Sequence, residues 1–321
     1  MLPKLLVFLI VTVVGFTLGQ KGPETICPPA DLLGQNCACS KECDTCPAMI
    51  ECSDIVDIYE FEDMIENTGD WTFWHLSIVR SVLQYLPANV IVKKRVRNLH
   101  LINTTMRALF DEPPASTNLL QELELTNLRF LGRLDWDEYS TLVHLKEFNV
   151  DNVWIRKIDQ EFVRNFPQGL TSLNFRQTKT KRLGDDAFAN LVNLEWLSIR
   201  ETQILELKRS MFPPVSKLMS MQFSGNPISS LPDDLFTNMP YLVWVDFSNT
   251  NVVTLPESVF GRIMPQLSVL SLEGNAVNCN CQMKWIPKIG MLPYGVNCTK
   301  PRELEGRTLK TLEEEHFLHC E

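Results

Sequence analysis

Between residues 73 and 277 the chain returns nine times to one pattern, apolar residues at offsets 0, 3, 5, 10 and 13, at intervals of 23 to 25 residues. The registers start at Phe73, Val96, Leu120, Leu145, Leu170, Leu194, Leu218, Leu242 and Leu267. One clear unit reads Leu194, Leu197, Ile199, Ile204, Leu207, and the next reads Leu218, Met221, Phe223, Ile228, Leu231. Four phenylalanines, Phe188, Phe212, Phe236 and Phe260, follow their own starts by 18 residues and therefore recur every 24. A unit this short cannot enclose a core of its own, so each depends on its neighbours and the chain must stack.

Within a unit, alternation assigns the faces. Offsets 3 and 5 point inward from a short strand, and offsets 10, 13 and 18 fold back over the same core. Each inward leucine contributes about 1.5–3 kcal/mol of burial, and the sum over a stack offsets the loss of chain entropy. The expected fold is an α/β solenoid, a leucine-rich-repeat horseshoe of about nine repeats with a parallel concave sheet. At offset 8, where an asparagine commonly ties the turn, the chain has Asn226 and Asn275 but Thr104, Thr178, Thr202 and Thr250 elsewhere. A threonine hydroxyl bonds backbone groups more weakly. Leu128 and Val153 occupy the same offset in the early units, which are irregular.

A stack has two open ends that need different terminal units. Ten cysteines flank the repeats and none lies within them: Cys27, Cys37, Cys39, Cys43, Cys46 and Cys52 before, and Cys279, Cys281, Cys298 and Cys320 after. Both groups are even, which reads as disulfide caps in an oxidising compartment; six cysteines allow fifteen pairings, so the front connectivity stays open. Residues 1–19 read as an export signal: Lys4, an apolar run from Leu5 to Leu18, then Gly19. That run is too short to span a bilayer, no second one follows, and Glu321 directly follows Cys320, so the expectation is a secreted chain without a membrane anchor. The expected division is signal 1–19, cap 20–72, repeats 73–277 and cap 278–321. On an exported chain Asn103 and Asn297 are glycan acceptors by sequon.

The tail, Asn278-Cys279-Asn280-Cys281 through Trp285, then Cys298-Thr299-Lys300-Pro301 and Cys320, resembles the C-terminal cysteine cap of extracellular leucine-rich-repeat proteins. The family's proline before the first cysteine is absent, Asn275 being followed by Ala276. The resemblance implies that Cys279 pairs with Cys298 and Cys281 with Cys320. The front, Cys27-Pro28-Pro29-Ala30-Asp31, Cys37-Ala38-Cys39 and Glu51-Cys52-Ser53, resembles a group of arthropod secreted leucine-rich-repeat proteins, among them the non-catalytic subunit of the secreted luciferase of deep-sea shrimp. Cys43 and Cys46 depart from that pattern. The resemblance implies a subunit that associates with and stabilises a partner without doing chemistry itself.

Net charge is −9, which repels nucleic acid and anionic membrane surfaces and favours a basic or neutral partner; the partner expected is a protein. The histidines, at 75, 100, 144, 316 and 319, have no metal-ligand spacing, and no Gly-x-Ser-x-Gly, phosphate loop or His-Glu-x-x-His run occurs. The expectation is therefore no catalytic residue, no cofactor and no metal. Offsets 2, 4, 6 and 7 face away from the core on a sheet that sets neighbours about 4.8 Å apart. Offset 6 makes Arg176 and Arg200 neighbours, which asks for compensating anions, and offset 2 places Trp196 and Trp244 two strands apart. These four are the candidate binding residues, since Trp and Arg dominate interface energetics; the competing reading has Asp151, Glu195 and Glu201 merely neutralising the arginines. A glycan at Asn103 points any ligand toward repeats four to eight.

The functional expectation is a secreted protein-binding subunit, with the small catalytic subunit of a secreted luciferase as one partner. A free extracellular recognition protein in innate immunity or adhesion is the alternative, and a hydrolase is a distant one. The register itself is testable: Leu197→Asp puts a charge into the core and should abolish secretion, and normal yield with an unchanged circular dichroism spectrum would refute the assignment.

Overall fold

The computed structural model describes residues 26–320 except Glu42, Arg133, Met291 and Tyr294; the expected export signal lies outside the described residues. The strands, in chain order, are β1 (Cys37–Ser40), β2 (Met49–Ser53), β3 (His75–Val79), β4 (Asn98–Ile102), β5 (Thr105–Met106), β6 (Glu122–Thr126), β7 (Arg129–Phe130), β8 (Glu147–Asp151), β9 (Lys157–Ile158), β10 (Ser172–Arg176), β11 (Arg182–Leu183), β12 (Trp196–Arg200), β13 (Ser220–Gln222), β14 (Trp244–Asp246) and β15 (Val269–Ser271). Eleven of them form one sheet in the order β1-β2-β3-β4-β6-β8-β10-β12-β13-β14-β15. From β2 onward every pairing is parallel. The molecule is a leucine-rich-repeat solenoid.

The nine registers coincide with the nine strands from β3 to β15. Leu173 of β10 pairs with Phe148 and Leu197, and Phe175 with Val150 and Ile199, so that inward residues stack on inward residues. All nine starting residues and all eighteen residues at offsets 3 and 5 are buried, none of them more than 3% exposed.

The sheet also extends beyond the expected repeats. β2, within the segment 20–72, places Ile50 and Cys52 beside Leu76 and Ile78 and so adds one more inward rung. After β2 comes α1 (Ile58–Asn67), whose first turn is capped by the Asp57 carboxylate, which accepts from Tyr59 N–H at 2.9 Å, and whose Phe61, Met64 and Ile65 cover the core.

Each strand of the concave sheet turns off in the same way. The residue at offset 7 has positive φ in every repeat: Arg80, Asn103, Asn127, Asn152, Gln177, Glu201, Gly225, Asn249 and Gly274, with Asp54 equivalent after β2. This left-handed conformation is tolerated best by glycine and asparagine, which fill six of the nine positions. At Gly225 there is little alternative, since a Cβ would lie 3.1 Å from the Glu201 backbone. One residue later, Asn226 Nδ2 donates to the Ile199 and Phe223 carbonyls at 2.8 and 2.9 Å, while its oxygen accepts from Ile204 N–H at 3.0 Å and from the Thr202 hydroxyl. Asn275 likewise accepts from Thr250 N–H at 2.7 Å and donates to the Phe247 and Val252 carbonyls, both at 3.0 Å.

The early repeats solve the problem differently. Leu128 and Val153 are buried, and backbone bonds hold the turns, among them Arg129 N–H to Thr104 O and Ile155 N–H to Thr178 O, each 2.9 Å. An aromatic cluster of Trp136, Tyr139, Phe148, Phe162, Phe166 and Phe175 fills the core there, with Phe162 and Phe166 stacked at 4.1 Å. In the later repeats Phe188 meets Phe212 at 5.8 Å and Phe236 meets Phe260 at 5.6 Å, two pairs along the expected spine.

Disulfides secure both ends. At the front they join Cys27 to Cys39, Cys37 to Cys52 and Cys43 to Cys46; Cys37 and Cys52 are direct partners in the β1–β2 hairpin. At the back they join Cys279 to Cys298 and Cys281 to Cys320. Between the back pairs, Met283, Trp285 and Ile286 close the core, and Trp285 Nε1–H donates to the Leu255 carbonyl at 3.0 Å.

Replacing Asn226 by Ala strips two carbonyls of their donor and Ile204 N–H of its acceptor in a buried turn. The loss should be about 2–3 kcal/mol. A lowered denaturation midpoint with intact disulfides is the expected readout, whereas Thr202→Ala, which removes one hydroxyl, should cost less.

Candidate functional site

Because offsets 3 and 5 are committed to the core, the alternate residues of the parallel strands form a continuous concave surface. Three chemical zones follow one another along it. The first lies on β3, β4 and β6, the second across β8, β10 and β12, and the third on β12, β13 and β14.

In the first zone two histidines and two glutamates converge. His75 and His100 meet edge to face with ring centroids 4.3 Å apart. His100 Nε2 lies 3.2 Å from Glu122 Oε1, and its Nδ1 3.7 Å from Glu124 Oε2. Burial and the neighbouring His100 hold the His75 imidazole below the usual histidine range. The hydrogen bond from His100 holds Glu122 below the usual carboxylate range, against the burial that raises it. The spacing of the histidines along the chain gave no sign of this grouping: His100 is one period, not a few residues, away from Glu122 and Glu124, and the parallel register closes that gap.

The second zone contains both candidate arginines, direct partners in the β10–β12 register. Arg176 is neutralised: its Nε–H donates to Glu201 Oε1 at 2.9 Å and its Nη1 to Asp151 Oδ2 at 3.4 Å. The Arg176 and Gln177 hydrogen bonds hold Glu201 below the usual carboxylate range. Arg200 differs. Among the described residues nothing forms a hydrogen bond or ion pair with its guanidinium, and its buried Nε lacks an acceptor. Three other buried polar atoms of this zone are also without partners: Asp151 Oδ1, Asn174 Oδ1 and Ser198 Oγ. Direct ion pairing therefore reaches Arg176 alone, while Arg200 acts on Glu201 only through its charge, which helps to hold that carboxyl low.

The third zone is apolar. Trp196 and Trp244 flank Ser220 across β12, β13 and β14, 45% and 43% exposed. Sequence reasoning missed their neighbours, Met219 and Val243, 39% and 37% exposed, with Tyr241 beside them. The signal was present at offset 1, which after Trp74 in the first repeat holds Arg97, Gln121, Lys146, Thr171 and Glu195, and is apolar in two successive repeats at Met219 and Val243.

Both sequon asparagines are exposed. Asn103 sits at the strand-end turn, where its side-chain oxygen accepts from Asn127 Nδ2 at 2.9 Å, and Asn152 Nδ2 extends the ladder to Asn127 at 2.8 Å. Asn297 adjoins the buried Cys298, and the Thr299 hydroxyl donates to the Val277 carbonyl at 2.8 Å. No helix among the described residues is long and apolar enough to cross a membrane.

The chain matches no protein-family model and no curated protein. Among solved structures it is similar to TLR13 in a complex with ssRNA13, at 19% identity and TM-score 0.55, over 68% of this chain and 30% of that one. It is also similar, at 19% identity and TM-score 0.51, to a chain in the octameric complex of latrophilin 3, Unc5D and FLRT2, over 77% of this chain and 90% of that one. The chain thus spans under a third of the TLR13 chain but nearly all of its counterpart in the FLRT2 complex. At such identities the likeness speaks for the fold: the concave sheet described above is that of a leucine-rich-repeat protein.

Proposed function

We propose that this chain is a secreted, non-catalytic protein-binding subunit that associates with and stabilises a partner through the concave face of repeats six to eight. The observation that carries the reading is the exposed stripe of Trp196, Met219, Val243 and Trp244, on a sheet whose outward positions at offsets 2, 4 and 6 are otherwise polar but for Val79, Ile102 and Val269. Core packing does not require these side chains outside, and clustered exposed aromatics beside an arginine are the composition of interface hot spots. Arg200 supplies donors for a partner's carbonyl or carboxylate, whereas Arg176 is already engaged. The net charge of −9 disfavours a polyanion in this role.

The disulfides support an oxidising, extracellular setting, and the export signal read at residues 1–19 supports secretion. Glycans at Asn103 and Asn297 would leave the apolar stripe uncovered, since Asn103 belongs to the second repeat and Asn297 to the back cap. The front-end resemblance makes a small secreted catalytic protein, such as that of a luciferase, the first partner to test.

The experiment is co-purification from native secretion followed by affinity measurement. A stoichiometric small protein whose solubility falls on removal of this chain is the expected result; binding of the isolated chain to microbial or cell surfaces instead would favour the free recognition role. Trp196→Ala with Trp244→Ala should weaken the complex at least about a hundredfold, from about 1.5 kcal/mol or more at each site. Arg200→Ala should weaken it more than Arg176→Ala. Binding that survives Arg176→Ala with Trp244→Ala would rule the patch out.

A further inference from the structure

The His–Glu zone at the front of the concave face ends three strands short of the apolar stripe and plays no part in the reading above. We propose that His100, Glu122 and Glu124 bind one divalent transition-metal ion of the zinc class.

Three observations meet here. First, the donor atoms are assembled: one ligand atom from each of His100, Glu122 and Glu124 lies within 4.8 Å of the other two. Ligands of a tetrahedral ion with bonds of about 2.0–2.2 Å stand roughly 3.4 Å apart, and the assembled atoms are already within about an ångström and a half of that. His100 Nε2 faces Glu122 at 3.2 Å and its Nδ1 faces Glu124 at 3.7 Å, so both carboxylates lie against the same ring. His75 stands edge-on to His100, ring centroids 4.3 Å apart, beside this three-ligand set, and a bound ion would perturb both rings.

Second, the carboxylates are held from behind, as ligands of metal sites usually are. Asn98 Nδ2 donates to Glu122 Oε2, and the Thr126 hydroxyl donates to Glu124 Oε1 at 2.9 Å. Each bond fixes one oxygen and leaves the other for a ligand.

Third, the surface is short of positive charge. At offsets 2, 4 and 6, the four strands β3, β4, β6 and β8 present His75, Ser77, Val79, Asn98, His100, Ile102, Glu122, Glu124, Thr126, Glu147, Asn149 and Asp151. No lysine or arginine is among them; the cations Arg97 and Lys146 flank the strands at offset 1, with Arg97 over the Trp74 ring. Glu122 lies directly across from Glu147 in the β6–β8 register. Like charges so placed repel, and a bound dication removes that repulsion. Imidazole with carboxylate selects zinc-class ions over magnesium, which prefers an all-oxygen shell. The cluster of Cys281, His319 and Cys320 offers no comparable site, because both sulfurs are in one disulfide.

Isothermal titration of the full disulfide-bonded chain with Zn²⁺ tests the site, with Mg²⁺ as the hard-cation control. One saturable equivalent of Zn²⁺ and no Mg²⁺ binding are expected. His100→Gln and Glu124→Gln should each lower the affinity at least about tenfold, while His316→Gln with His319→Gln leaves it unchanged. Imidazole NMR resonances of His75 and His100 in the wild-type chain should move with the same saturation, a readout that needs no variant to fold. Absence of saturable Zn²⁺ binding, equal binding of Mg²⁺, or Zn²⁺ binding indifferent to His100→Gln and Glu124→Gln overturns the proposal.

Discussion

Each strand of the concave sheet carries two inward side chains, and it can bury them only if the strands on either side do the same. Everything else follows from that dependence. Leu197 and Ile199 are buried because Leu173 and Phe175 lie below them and Met221 and Phe223 above. A stack of this kind has no internal place to stop, so its ends need special chemistry. At the front, β1 and β2 reverse direction and are clamped by the Cys37–Cys52 bridge; at the back, Trp285 spends its only polar hydrogen on a repeat carbonyl while its ring shields the last rungs.

The same dependence decides where specificity can reside. Inward positions are fixed by packing, and offset 7 is fixed by its left-handed backbone. Offsets 2, 4 and 6 are held rigidly about 4.8 Å from their neighbours and contribute little to the core. Their chemistry varies along the sheet from histidine and glutamate, through arginine and acid, to tryptophan and serine. A rigid display of this kind gives up little entropy on binding, so a few aromatic side chains on it would suffice for the proposed association.

Much of this was legible in the sequence, because period and alternation are local properties of the chain. The nine registers, the strand faces and the adjacency of Arg176 to Arg200 all follow from counting. What counting could not supply was the behaviour of positions that break the average. Leu128 and Val153 gave no turn signal because backbone bonds replace the side-chain ladder there. β2 was hidden among cysteines that suggested only a cap. The front bridges needed the hairpin before fifteen pairings could become one. The His–Glu cluster was invisible because its members are separated by about one repeat, and motif reading searches for ligands a few residues apart.

The two arginines show why adjacency in sequence space is not equivalence in function. They occupy the same offset in consecutive repeats and lie side by side, yet their surroundings differ by one period. Arg176 has Asp151 on one side and Glu201 on the other, so a docking partner would have to displace or desolvate an existing pair to use it. An exposed pair of this kind contributes little to the free chain and offers little to a newcomer. Arg200 has Gly225 at the place that corresponds to Glu201, with Ser224 before it, and its Nε is buried without an acceptor. Its terminal nitrogens make no hydrogen bond among the described residues, so a partner oxygen would meet donors not already engaged. Trp196 and Arg200 stand at opposite ends of β12, so the proposed patch would run along that strand, with its apolar part at one end and its cationic part at the other.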